Sequence, residues 1–237
     1  MSRLAESSDD LVAGAQELSW LAMRWQTFCA LLTCPQQAAA DVWQLLERHY
    51  CEPHRHYHNF AHVAALLRHA DAHRACGEAL AQPHAVELAI WFHDIIHDTR
   101  SGGNEVASAA LAKAAMQALL IDAGTASQVE RCILATISHT IPDASVPDLA
   151  VFLDFDLAIL GAPRDMYRRY RAAIRREYEW VSEEDYRAGR ARVLRRFLER
   201  PALYFTPSMA SRFESSARDN IQSELLLLEP ESISGNH

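Results

Sequence analysis

The sequence predicts an all-α domain, and three observations predict it. Apolar residues recur at three- and four-residue spacing in segment after segment, and no useful stretch alternates with the two-residue period of a strand. Only 8 Gly and 9 Pro are spread over 237 residues, too few for the turn economy of an all-β fold. An apolar content of 49% supplies a full core and excludes a disordered chain.

The periodic segments run over 16–33, 35–50, 60–75, 83–98, 104–123, 126–140, 147–161, 163–181, 182–200 and 208–228. Pro35, Pro53, Gly77, Pro83, Gly102-Gly103, Gly124, Pro142, Pro147, Gly161 with Pro163, and Pro201 separate them. Asn59 before Phe60, Asn104-Glu105, and Ser182 three residues before Asp185 read as helix starts. No repeat or linker interrupts the pattern. One compact domain over 15–228 is expected, with flexible ends at 1–14 and 229–237.

Two segments read as buried on every side. Ala85 to Ile96 (AVELAIWFHDII) is apolar on adjacent faces, and Leu149 to Leu160 (LAVFLDFDLAIL) is apolar at ten of twelve positions. The polar residues within them therefore need a reason. Trp20, Trp25, Trp43 and Trp91 fall in apolar patterns and read as core.

Composition bounds the function. No apolar run reaches the ~18–20 residues of a membrane span, and the acidic first fifteen residues do not read as a signal peptide. The expectation is a cytoplasmic protein. A formal charge of −8 argues against nucleic acid as a partner. Five cysteines without a C-x-x-C pair read as reduced thiols, most of them small core residues. Seven of the 12 histidines fall between His49 and His73, a clustering that points to metal.

Three places carry chemistry. His93-Asp94 lies inside the first apolar segment, where a carboxylate is costly unless paired or bound to a cation. Adjacent helical residues point about 100° apart, so both reach one ion beside the helix; a structural His–Asp pair is the alternative. Asp154 and Asp156 pose the same question in the second segment, where one acid can cap or accept hydrogen bonds while the other takes a cation. In Arg55–His62 (RHYHNFAH), His58 and His62 are four apart and share a side of a helix starting near Asn59. His62 suits a ligand, and His58 at the mouth suits a proton donor; surface histidines at a polar helix start are the bland alternative. Two imidazoles and two carboxylates on three apolar helices suit Mn, Mg, Fe or Zn as divalent ions.

This arrangement resembles the HD superfamily of metal-dependent phosphohydrolases. Within it the chain looks like the bacterial group of predicted HD phosphohydrolases, through YHNFAH at 57–62, FHD at 92–94, GNEVASA at 103–109 and LDFDLAILG at 153–161. The resemblance spans roughly residues 20–228 and implies a phosphodiesterase-like HD helical bundle. It implies that His62, His93, Asp94 and Asp156 hold metal, with Asp154 the alternative ligand or a partner orienting one. The YHNxxH segment is similar to that of cyclic-nucleotide phosphodiesterases and implies that His58 protonates the leaving oxygen. Asn59 becomes a helix cap or phosphate donor. His139-Thr140 resembles the H-T of dinucleoside-polyphosphate hydrolases and brings His139 toward the substrate or a second metal; a helix-terminal role is the alternative. In Tyr167–Tyr178, Arg175 is the arginine expected at the phosphate if any reaches it, against a solvated, salt-bridged surface that also includes Glu177.

The expected activity is hydrolysis of a phosphoester or phosphoanhydride in a nucleotide or other small phosphorylated metabolite. His93-Asp94-Ile95-Ile96-His97-Asp98 lacks the acids that follow HD in (p)ppGpp hydrolases, which argues against that substrate. His97 stands where the close group commonly has Tyr, and Gly103 where it has Asp. An HD-type di-iron oxygenase, drawing on His139 and His97, and a non-catalytic nucleotide- or metal-binding module are the competing readings.

Overall fold

Ten α-helices and one short 3-10 turn order the described residues, 11–141 and 146–229, of the computed structural model. They are α1 (Ala15–Leu31), α2 (Gln36–Tyr50), α3 (Phe60–Ala75), α4 (Pro83–Phe92) and α5 (Asn104–Ala118), then α6 (Ala123–Ala135), α7 (Leu149–Leu157), the 3-10 turn Ala158–Gly161, α8 (Arg164–Glu177), α9 (Glu183–Leu198) and α10 (Pro207–Leu228). No strand occurs among them, so the predicted all-α class holds. Most of both expected flexible ends, and the breaker Pro142, lie outside the described residues.

The two all-round apolar segments sit at the centre. α4 packs against α3, α5, α6 and α7, and α7 packs against α3, α4 and α6. Leu88, Ala89, Ile90, Trp91 and Phe92 of α4 are wholly buried, as are Phe152 and Leu153 of α7. Trp25 meets Trp91 edge-on at 5.4 Å, and Trp43 stacks on Phe60 at 5.3 Å, so α1 and α2 close one side with aromatic rings. Trp20 and Trp43 are partly buried and pack against the core from its edge, as does Cys34, while Cys51 and Cys76 are exposed and stand outside it.

Several helices end earlier than periodicity alone predicts, because tertiary partners take their backbone groups. The 83–98 segment stops at Phe92: the Arg55 guanidinium donates to the carbonyls of Asp94 and Ile95, which a continuing helix would have used itself. The Ile96 amide goes instead to the Ser108 hydroxyl of α5. The 163–181 segment stops at Glu177, where Arg175 donates to the carbonyls of Tyr178 and Val181 and holds the turn. α6 stops at Ala135, and the chain leaves it through His139 at φ 47°, a left-handed conformation that costs a residue with a Cβ. Arg200 grips the carbonyls of Ser138 and His139, both at 2.8 Å, and offsets that cost.

Two predicted starts behave as caps. The Asn59 side-chain oxygen Oδ1 accepts from the Ala61 amide at 2.8 Å, and the Ser182 hydroxyl accepts from the Asp185 amide at 3.1 Å. Asn104 does not cap α5; its side chain ties back to the amide and carbonyl of Asp98. Gly161 is required by packing: a Cβ there would lie 2.7 Å from the Phe213 carbonyl, so its absence lets the 3-10 turn press on α10. Asn220 secures that contact by donating to the carbonyls of Leu160 and Ala162.

Candidate metal centre

Three helices deliver four donor side chains to one point. The Asn59 cap fixes the start of α3, so His62 emerges from its first turn with its ring turned inward, 4% exposed. His93 follows the last residue of α4, and its Nδ1 lies 3.1 Å from the Ile90 carbonyl, which makes Nδ1 the donor and leaves Nε2 as a lone pair. Asp94 lies in the turn that Arg55 grips. Asp156 stands one residue before the end of α7.

Their ligand atoms are close. His62 Nε2 and His93 Nε2 are 3.0 Å apart. Asp94 Oδ2 lies 3.0 Å from His93 Nε2 and 3.5 Å from His62 Nε2. Asp156 Oδ1 lies 3.2 Å from His62 Nε2 and 3.6 Å from His93 Nε2. Ligand atoms about 2.0–2.2 Å from one ion in tetrahedral or octahedral order stand about 2.8–3.6 Å apart, so His62, His93 and Asp94 fit a single divalent cation, and Asp156 stands at that spacing from both imidazoles. The donor chemistry agrees. Two buried imidazole nitrogens facing each other beside two carboxylates leave lone pairs pointing at lone pairs, which a cation resolves. Burial by itself would raise both carboxyls, yet His93 and His62 hold Asp94, and His139, His62 and His93 hold Asp156, well below the usual carboxylate range. Burial likewise opposes charge on His93, but Asp94 and Asp156 hold its pKa well above the ordinary value, so Nε2 takes up a proton that a bound cation would displace. The imidazoles are 3% and 1% exposed, and the carboxylates of Asp94 and Asp156 are 20% and 12% exposed, so the point opens to solvent on the carboxylate side.

His58 borders this point, its ring centroid 5.9 Å from that of His62. Glu177, 4% exposed at the end of α8, fixes it. Glu177 Oε1 accepts the backbone amides of His56, Tyr57 and His58 at 2.7–2.9 Å, and Oε2 lies 2.6 Å from His58 Nδ1. His97 stacks on His58 at 4.1 Å and sets its Nε2 3.2 Å from the same Oε2. Burial disfavours charge on His58, but the Glu177 carboxylate beside it raises its pKa above the ordinary value. Burial and the neighbouring His58 lower that of His97. His58, His97 and Glu177 are a second convergent donor set, with one carboxylate oxygen already committed to the backbone.

The remaining sequence candidates separate. His139 reaches the centre through Asp156, its Nε2 2.8 Å from Oδ2. Asp154 does not: both its oxygens are taken by the Phe205 and Thr206 amides and the Thr206 hydroxyl, so its reading as an alternative ligand is corrected to an anchor for the start of α10. Asn59 has its amide nitrogen on the carbonyls of Leu11 and Arg55 and its oxygen on Ala61, so it is a cap and not a phosphate donor. Arg175 is spent on Glu183 and two backbone carbonyls and stacks on Tyr186 at 4.6 Å, away from the cluster.

Sequence reasoning missed Glu177, Arg55 and Arg200. Glu177 had a signal: it shares a helical face with Tyr170, Ala173 and Ile174, all buried. Arg55 and Arg200 had none, because the long-range partners of both are backbone carbonyls, and the one side-chain partner of Arg55, Glu52, is local. Among the described residues, no helix is long and apolar enough to cross a membrane. No family model matches the chain, and neither a curated protein nor a solved structure matches it.

Proposed function

We propose that the chain is a metal-dependent phosphohydrolase of the HD type, cleaving a phosphoester or phosphoanhydride in a nucleotide or another small phosphorylated metabolite. The observation that carries it is the convergence of His62, His93, Asp94 and Asp156 on one point, with His58 held at its edge by a buried carboxylate. A divalent ion bound there supplies an acidified water and neutralises charge on the phosphoryl oxygens.

The side chains do the rest. The Ile90 carbonyl holds His93 in the tautomer whose Nε2 is free to bind. Arg55 fixes the turn bearing Asp94, and His139 orients Asp156 from its second oxygen. Glu177 keeps the proton on His58 Nδ1 and stabilises the imidazolium, so Nε2–H is the group that gives its proton to the leaving oxygen. The stacked His97 restricts the His58 ring to that orientation.

A second reading, an HD-type di-iron oxygenase, is favoured by His139 beside Asp156, since it adds a nitrogen donor at the edge of the set. Metal analysis of the purified protein, with a phosphate-release screen across nucleotides and simple phosphate esters, separates the readings. Asp94→Ala is expected to lose metal and turnover together, and His58→Ala to keep metal and lose turnover. Retention of both by Asp94→Ala would sink the proposal. Two irons per chain with oxygen-dependent turnover would replace it, and nucleotide binding without turnover under any metal would reduce the chain to a binding module.

A further inference from the structure

Beside His62 and Asp156 lies a cavity of about 380 Å³ that the proton-transfer and ligand residues leave unexplained. It runs along the outer side of α3 from His62 to His69, seven residues or about 10 Å. Small residues make the room. Ala61 and Ala65 stand one turn apart on α3, and Ala158 and Ala162 face it from the 3-10 turn and the residue after it. Gly161 lets α10 approach, and that approach brings Phe213 in as a wall. Leu11, Leu66, Phe155, Ile159, Pro163 and Met166 add apolar wall.

The polar lining gathers toward the ends. At the inner end are His62, Asp156 and Tyr57, whose ring lies 4.8 Å from that of His62, and farther along His69 sets its ring against Phe155 and Phe213. At the outer end Arg68 is paired with Glu17 at 2.6 Å, and Arg212 lies over the Phe213 ring at 4.8 Å with no ion pair among the described residues. No Ser, Thr, Asn or Gln lines the space between.

We propose that this cavity holds the apolar arm of the substrate, which makes the substrate the phosphate ester of an alkyl or aryl alcohol in place of a sugar phosphate. The inference rests on the phosphohydrolase reading for the phosphate end and on the cavity alone for the arm. A sugar's hydroxyls would exchange water for carbon along its whole length and go unpaired. An alkyl or aryl arm gains there what it gains in any apolar interior, about fourfold in affinity for each methylene taken from water. The charged outer end sets the limit, since an arm longer than about 10 Å must place its tip among Arg68, Glu17 and Arg212.

Phosphonates, which cannot be hydrolysed, test the arm without turnover. Calorimetric titration of the Mn²⁺-loaded protein with methyl-, butyl- and octylphosphonate is expected to show octyl binding at least about a hundredfold tighter than methyl. Ala65→Phe, which fills the cavity from α3, is expected to reduce that ratio to below about tenfold. Should Ala65→Phe fail to fold by circular dichroism, Met166→Trp fills the same space from α8 and carries the test. A methyl-to-octyl ratio within about threefold, the absence of any phosphonate binding, or a large ratio that survives the filling substitution overturns the inference. Phosphate release from the matching esters is scored separately. An octyl preference in binding with no release from any ester would fail the hydrolase reading and leave the cavity assignment standing.

Discussion

Asp154 and Asp156 stand two residues apart on α7, about 200° apart around its axis, and they meet opposite surroundings. Asp154 faces the chain entering α10 and is fully buried against two amides and a hydroxyl. Asp156 faces three imidazoles, those of His62, His93 and His139. Burial pushes both carboxyls up. The neutral donors around Asp154 do not overcome it, and its pKa stays above the ordinary value. The imidazoles around Asp156 do overcome it. The same residue type on one helix thus becomes a structural anchor where its partners are neutral fixed dipoles, and stays ionised, able to hold a cation, where its partners are imidazoles that can donate to it. Phe155 between them faces neither, and lies against His69 and His73 with centroids 6.3 and 5.6 Å away.

The contrast breaks most visibly at Asp156. Asp156→Asn is expected to weaken divalent-ion binding by more than about a hundredfold and to abolish turnover while the fold survives. Metal affinity within a few-fold of the wild type would remove Asp156 from the ligand set.

Glu177 comes next, because it acts on the proton donor and not on the ion. Glu177→Gln should retain metal, lose about 10- to 100-fold in kcat, and move the alkaline limb of the pH–rate profile to lower pH. The sign follows from His58: its pKa is raised chiefly by Glu177, against burial, so without that carboxylate the acid form is lost sooner as pH rises. An unmoved alkaline limb would deny His58 the acid role.

Asp154→Ala sharpens the other side of the comparison. It strands three donors in a buried site and is expected to cost about 3 kcal/mol, lowering Tm by about 6–12 °C with metal stoichiometry unchanged. Loss of metal in this variant, with the fold intact, would return Asp154 to the centre.

The smallest effect belongs to the apolar face between the two acids. Burial, helped by Arg212 and His62, lowers the His69 pKa to about 4. Folded His69 therefore stays neutral where the unfolded chain, titrating near 6.5, takes up a proton. Its contribution to stability is fully present above pH ~6.5 and is lost as pH falls toward 4, by at most about 3 kcal/mol. Denaturant titrations between about pH 7 and 4 should show a shallower loss for His69→Gln than for the wild type; equal slopes would contradict this.

The legible part of the site was the part whose residues sit in apolar periodic segments. His62, His93, Asp94 and Asp156 are conspicuous because each interrupts a pattern that predicts burial, and the structure brings these four together. Glu177 was hidden by its neighbours: an Arg-rich stretch followed by further acids reads as a solvated surface, although one face of α8 is apolar. Helix ends were the least legible feature. Arg55 stops the α4 segment from about forty residues upstream, and nothing local to Phe92 announces it.

The sequence by itself determined the helical class, the central position of α4 and α7, and the few polar residues that burial makes expensive. Those follow from hydrophobic periodicity and the cost of desolvating a charge, which act residue by residue. Only the tertiary structure decided which of two acids faces the histidines, which carboxylate holds His58, and that an apolar cavity opens beside the centre. Those depend on where a second element lies against the first, and a helix rotated by half a turn would have exchanged the roles of Asp154 and Asp156 with hardly a change in its pattern.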